Sequence, residues 1–189
     1  MLVAVVPMKS MDLAKGRLSG VLDAAGRRAL ARQMFDHVLA TLREAGLATV
    51  QVASGEDGTG DLNADVTAAA RRVQEQGASE LLLVMADLPY LAAADIAAMI
   101  EAGRSRDVVI AEARDGGTNA LLLRPPTVLQ FAFATSRPSA AFHADHARNV
   151  GIEPAIVRRP GLARDIDTPD DLRALVSDHP AYRVFRHVA

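Results

Sequence analysis

The sequence predicts an α/β domain built on a mostly parallel sheet. Three observations lead there. Strand-like and helix-like segments alternate along the chain. The strand-like segments are short apolar runs, as strands buried on both faces require. The helix-like segments carry apolar residues three and four apart, the spacing of one helical face.

Taken in order, Leu2–Val6 is a continuous apolar run that stops at Pro7 and reads as a buried strand. Ala24–Ala45 reads as a long helix, with Leu30, Met34, Val38 and Leu42 at four-residue spacing and Gly46 as its C-terminal stop. Ala48–Ala53 is a second strand. A Gly/Asp-rich loop, Ser54–Asp61, leads to a helix over Asn63–Gln76. Glu80–Met85 is a third strand, Asp95–Ala102 a helix, and Asp107–Ala111 and Asn119–Arg124 are strands. Ser139–Val150 is helical and Ala155–Val157 a short strand. Thr168–Ser177 closes the series, with Thr168 as N-cap, Pro169 in the first turn and Asp171 in the capping-box position. The tail His179–Ala189 reads as a solvated end or a contact between two copies of a homodimer.

Composition narrows the function classes. A chain of 189 residues suits one domain spanning 1–189, and half of its residues are apolar. Trp is absent, so aliphatic side chains must fill the core. The formal charge of −2 argues against a nucleic-acid surface. With no Cys there is no disulfide or thiolate metal site, which fits the cytoplasm. No segment approaches the roughly 18 to 20 apolar residues of a membrane span.

In open parallel sheets ligands bind beyond the carboxyl ends of the strands. The loops after Val6 and Met85 and around Asp165 are therefore the ones to read. The first, Pro7–Ser19, holds Lys9, Lys15 and Arg17, which could surround a triphosphate; an ordinary solvated basic loop fits equally, and no Walker A pattern is present. In Ala86-Asp87-Leu88-Pro89, Asp87 could hold a hard divalent cation or simply cap the turn. Asp165 and Asp167, two apart, would face one side of an extended segment and repel each other unless a cation sits between them. Gly116-Gly117-Thr118 either lets backbone approach a carboxylate or phosphate or makes a hairpin turn. Gly55–Asn63 could carry a base or ribose or serve as a connector. His143 and His146 lack a third metal ligand and read as an exposed helix face.

Five of these pieces, in this order, resemble the 2-phospho-L-lactate guanylyltransferase family, which activates the side-chain precursor of the deazaflavin coenzyme F420. They are Val5-Val6-Pro7-Met8-Lys9 with Ala14-Lys15-Gly16-Arg17-Leu18; Gly60 to Asn63, with Asp61 inserted; Ala86-Asp87-Leu88-Pro89; Gly116-Gly117-Thr118-Asn119-Ala120-Leu121; and Asp165-Ile166-Asp167-Thr168-Pro169. The resemblance implies a Rossmann-like nucleotidyltransferase fold of GT-A type. It implies GTP as donor, bound near Pro7, Lys9, Lys15, Arg17, Asn63 and Asp87, and Mg²⁺ on Asp87, Asp165 and Asp167. It implies an acceptor (2-phospho-L-lactate, phosphoenolpyruvate or 3-phosphoglycerate) near Thr118, Ser136 and Ser139.

Two departures stand out. The interval between Ala53 and Gly60 is short enough to lack a strand and a helix of the family. The family's Phe-Gly-Pro-Gly-Ser loop is here Phe133-Ala134-Thr135-Ser136-Arg137-Pro138-Ser139, which adds Arg137 as a cation for a further anionic group.

The expected reaction is in-line attack of the acceptor phosphate on the α-phosphorus of GTP, with pyrophosphate leaving. Lys15, Arg17 and Asp87 are the expected catalytic residues. The attacking oxygen is already anionic, so positioning and charge neutralisation should suffice. Two other readings are a transferase with a different nucleotide or acceptor and a nucleotide-binding protein without turnover.

Overall fold

The computed structural model describes residues 1–8, 15–47, 50–54, 61–133 and 136–188. Strand β1 (Leu2–Met8) is buried along Val3–Pro7 and pairs in parallel with β2 (Val50–Ser54) on one side and β3 (Glu80–Val84) on the other. Strand β4 (Val108–Glu112) and β5 (Thr118–Leu123) form an antiparallel hairpin, and β6 (Ala155–Val157) pairs in parallel with β4. The sheet has six strands in the order β2-β1-β3-β5-β4-β6. Only β5 runs against the other described strands, since it is antiparallel to both β3 and β4. The expected mostly parallel sheet is present.

Side chains on a strand alternate between its two faces, and here both faces are covered. Val3, Val5, Leu81, Leu83, Ile110 and Leu121 pack with Val66, Ala69 and Val73 of α2 (Leu62–Glu75) and Ala140, Ala144 and Ala147 of α4 (Ser139–Asn149). Ala4, Val6, Leu82, Val84, Val109 and Leu122 pack with Phe35, Val38 and Leu42 of α1 (Ala24–Glu44) and Ile96 and Met99 of α3 (Ala93–Gly103). This double burial is why the strands read as continuous apolar runs. No helix among the described residues is long and apolar enough to cross a membrane.

Helix ends follow their sequence signals. Asp23 caps α1 by accepting from the Gly26 N–H at 2.6 Å, and Gly46 follows at φ 84°. Asp61, the inserted residue, caps α2 by accepting from the Asn63 N–H at 2.8 Å. Helix α5 (Pro169–Asp178) starts with the expected capping box: Thr168 Oγ1 accepts from the Asp171 N–H, and Asp171 Oδ2 accepts from the Thr168 N–H at 2.7 Å.

The tail corrects an expectation. Instead of a solvated end, Pro180–Val188 forms a 3₁₀ segment whose Tyr182 and Phe185 are 2% and 5% exposed. They join a third apolar cluster with Leu18, Leu22, Leu30, Met34, Ile166, Leu172 and Leu175. Burying two large aromatic rings stabilises the packed tail, while Arg183 between them stays exposed.

Candidate active site

Among the residues singled out from sequence, Asp87, Asp165, Asp167, Lys15 and Thr118 gather at the carboxyl edge of the sheet. Strands β1, β3 and β4 end there. Strand β5 runs the other way, so its first residue, Thr118, lies at the same edge. The Met85 N–H donates to the Asn119 carbonyl at 2.9 Å, tying the β3 exit to the start of β5.

Asp87, two residues past Met85, meets Asp165 and Asp167 there. One carboxylate oxygen from each lies within 4.8 Å of the others. Asp165 and Asp167 lie on the stretch before α5, with Ile166 between them buried at 1% exposure in the third cluster. Alternation along that stretch turns the two carboxylates the same way. Lys15 enters from the 3₁₀ turn Gly16–Leu18, which it precedes in a left-handed conformation at φ 56°. Its ammonium donates to Asp87 Oδ2 at 2.6 Å and Asp167 Oδ1 at 3.0 Å. Its side chain is only 8% exposed. Arg17, exposed, reaches Asp167 Oδ2 at 3.3 Å.

The electrostatics fit a cation site. Burial first, then the negative charge of Asp87, pushes the Asp165 carboxyl up to about 6. Burial alone would lower the Lys15 pKa, but Asp87 and Asp167 outweigh it and hold the ammonium above its ordinary range. Three carboxylates face one buried ammonium and one exposed guanidinium, which leaves negative charge over. Three close oxygen donors of this kind suit a hard divalent ion.

The loop carrying Asp165 is anchored upstream. Asn119 Nδ2 donates to the Leu162 carbonyl at 3.0 Å. Arg159 Nε donates to Asp95 Oδ1 at 3.1 Å, and Asp95 Oδ2 accepts the Ala92 N–H at 3.0 Å. Gly161 fits between Asp95 and the Tyr90 carbonyl, where a Cβ would stand 2.1 Å and 2.5 Å from them. Sequence reading missed Asp95, Arg159 and Gly161. Their partners lie more than 60 residues away, and no local pattern marks such contacts.

Thr118 and Ser139 also come together, their hydroxyl oxygens 3.1 Å apart. The two glycines before Thr118 make the hairpin turn. Gly116 has φ 82°, and the Asp115 side chain accepts from the Gly117 N–H at 2.8 Å. Gly116 packs against Pro138, and its carbonyl accepts from the Ala140 N–H at 3.1 Å, so it approaches the Ser139 loop. Ser136 is exposed on that loop. Arg137, expected to await an extra anion, is ion-paired with Asp145.

Asn63 clamps the segment leading into this loop. Its Oδ1 accepts from the Phe133 N–H at 2.7 Å, and its Nδ2 donates to the Phe133 carbonyl at 3.3 Å. Pro7 is buried in β1 opposite Ala53. Lys9 and the loop Gly55–Gly60 lie outside the described residues.

His143 departs most from expectation. Placed on an exposed helix face by its spacing to His146, it is fully buried and bonds Thr118 and the Ala132 N–H. The usable signal was its spacing from Ser139: residues four apart on a helix share a face.

A groove of about 490 Å³ flanks the β4–β5 turn, lined by Arg114, Asp115, Gly116 and Arg158 among others.

Known proteins share this chain's sequence and fold. The chain is 41% identical over 192 residues to a phosphoenolpyruvate guanylyltransferase of Rubrobacter xylanophilus, covering 91% of this chain and 92% of the relative. It is 32% identical over 179 residues to a 2-phospho-L-lactate guanylyltransferase of Methanoregula boonei, covering 92% and 81%. The fold superposes on a Desulfovibrio desulfuricans G20 protein assigned as a nucleotide-diphospho-sugar transferase, with TM-score 0.77 and 16% identity over 98% of this chain and 94% of that one. The family described as "Guanylyl transferase CofC like" matches residues 2–181, and the chain belongs to that family of nucleotidyltransferases.

Proposed function

We propose that this chain transfers GMP from GTP to phosphoenolpyruvate or a closely related phosphorylated carboxylic acid, releasing pyrophosphate, as a step of coenzyme F420 biosynthesis. The observation that carries the reading is the convergence of Asp87, Asp165 and Asp167 on one point beside Lys15. Phosphoenolpyruvate is preferred over 2-phospho-L-lactate because the relative named for it is the more similar of the two.

Asp87, Asp165 and Asp167 are the residues that would hold Mg²⁺. When bound there, the ion would offset negative charge on phosphoryl oxygens and help align donor and acceptor. The chain's own contribution is positional. Lys15 and Arg17, next to the triad, offer positive charge to the triphosphate and to the departing pyrophosphate. Thr118 and Ser139, at the same sheet edge, offer hydroxyls to the acceptor's anionic end. Asn63 holds the backbone that leads into the Ser139 loop. An anionic phosphate oxygen is the nucleophile, so no side chain has to remove a proton.

The test is pyrophosphate release with Mg²⁺, pairing GTP, CTP, ATP and UTP with phosphoenolpyruvate, 2-phospho-L-lactate and 3-phosphoglycerate. Release with GTP and one of these acids supports the reading. Asp87→Asn and Asp167→Asn should then lower turnover roughly a hundredfold or more in protein that still folds cooperatively. GTP binding without release in any pair would favour another acceptor or a non-catalytic protein.

A further inference from the structure

His143 is buried in a mostly apolar setting and bonded on both ring nitrogens. Its ring stands edge-on to Phe133 and Phe142, at centroid distances of 5.0 Å and 5.9 Å. The Ala132 backbone N–H donates to Nε2 at 3.1 Å. A backbone N–H can only donate, so Nε2 carries a lone pair. Burial first, and the neighbouring His146 second, bring the His143 pKa down to about 4, which keeps the ring neutral. A neutral imidazole has one N–H, so the proton is on Nδ1. Nδ1 faces Thr118 Oγ1 at 3.0 Å and donates to it.

Counting hydrogens shows what this direction does. His143 Nδ1, Thr118 and Ser139 bring one hydrogen each. Two internal contacts, His143 to Thr118 and Thr118 to Ser139, use two of them. One hydroxyl hydrogen is left for a third partner. With the opposite tautomer Nδ1 would accept, the two hydroxyl hydrogens would fill both contacts, and none would remain. An anionic ligand needs a donor, so only the first arrangement serves it.

We propose that His143 is a positioning residue for the acceptor. By donating from Nδ1 it leaves the Thr118–Ser139 pair one O–H to give to an anionic group, a carboxylate or a phosphate. This rests on the acceptor-site reading of Thr118 and Ser139 given above. It assigns to α4 a role that the Ser139 side chain alone would not reveal. Ser139 opens the helix, and His143 sits one turn further on the same face.

Two measurements test it. The first needs no variant: long-range ¹H–¹⁵N correlation of protein labelled at histidine nitrogens, with His143 assigned through its contacts to Phe133. The Nδ1–H tautomer at neutral pH is expected, and the Nε2–H tautomer overturns the proposal. The second is kinetic, with phosphoenolpyruvate varied at saturating GTP and the reverse. His143→Gln can still accept from the Ala132 N–H but cannot reach Thr118, so the hydroxyl pair loses the donor that fixes its direction, and the phosphoenolpyruvate KM should rise about tenfold, the scale of one well-placed hydrogen bond. Its GTP KM should stay put. His143→Asn, whose shorter amide can donate to Thr118, should bring the phosphoenolpyruvate KM back toward wild type. A histidine that only supports packing would shift both KM values together and show no such rescue.

The double variant Thr118→Val/Ser139→Ala, which removes both hydroxyls, runs alongside. If it leaves the phosphoenolpyruvate KM unchanged, the acceptor site is elsewhere and the proposal falls with it. If it raises that KM and His143→Gln does not, the acceptor site stands and the proposal alone is overturned.

Discussion

Gly161→Ala probes how the fold holds the Asp165 loop in place. A Cβ at Gly161 would lie 2.1 Å from Asp95 Oδ2, 2.5 Å from the Tyr90 carbonyl oxygen and 3.0 Å from Leu91 Cα. Comfortable contact between such atoms needs about 3.5 Å, so the backbone must separate by about 1 Å. Asp95 cannot simply swing away. Arg159 and the Ala92 N–H hold it, and its side chain is 5% exposed. Overpacking of this kind costs about 1–3 kcal/mol. For a chain of 189 residues each kcal/mol lowers the melting temperature by about 2–4 °C. The displaced segment is four residues from Asp165, so the Mg²⁺ concentration for half-maximal activity should rise roughly tenfold, the effect of disturbing an outer-shell support. The assay is a thermal melt without ligand together with a Mg²⁺ titration of pyrophosphate release. Gly20→Ala is the control, because nothing lies within 4 Å of its would-be Cβ. Wild-type melting and wild-type Mg²⁺ dependence in Gly161→Ala would refute the reasoning. Lower stability with unchanged Mg²⁺ dependence would keep the packing argument and discard the link to Asp165.

Three further outcomes are expected. Lys15→Met removes the shared partner of Asp87 and Asp167; the unfolding free energy from urea melts should fall by about 1–3 kcal/mol without metal, and Mg²⁺ should raise it more than in wild type. An equal Mg²⁺ response would refute it. Phe185→Ala should cost about 3 kcal/mol in the same assay, since its ring is 5% exposed in the third cluster, and an unchanged midpoint would show that the tail does not pack there. His143 binds its proton more weakly when folded, near pH 4 against an ordinary 6.5, so between those values the unfolded chain holds the extra proton. Its stabilising contribution is whole above pH 6.5 and is lost as pH falls toward 4, by roughly 3 kcal/mol. The pH slope of stability in that window should be shallower in His143→Gln, and equal slopes would count against the buried neutral ring.

Much of the architecture was legible before the fold. Each described strand and α-helix falls within about two residues of where apolar period, caps and glycines put it, β1 running on through Pro7 to Met8, because those signals are local: two faces of a strand, one face of a helix, one hydrogen bond at a terminus. Asp87, Asp165 and Asp167 were legible as candidates beside plainer capping and helix-start readings, and the structure brings their carboxylates together. The errors share one cause. His143 and His146 look alike at helical spacing, and only the packing of α4 decides that one of them is buried against Phe133. The charged tail looks solvated until α1 and α5 offer Tyr182 and Phe185 an apolar surface.

The sequence by itself determined the alternation of elements, the apolar faces, the helix starts and the identity of the charged groups at the sheet edge. Tertiary structure alone decided that Lys15 bridges Asp87 and Asp167, 72 and 152 residues away. It also decided that Gly161 must lack a side chain, and that a buried imidazole stands behind Thr118. The physical reason is reach. Propensity and periodicity act over one or two turns of chain. Ion pairs, steric fit and the direction of a hydrogen bond depend on atoms that folding brings within a few ångströms from distant parts of the sequence.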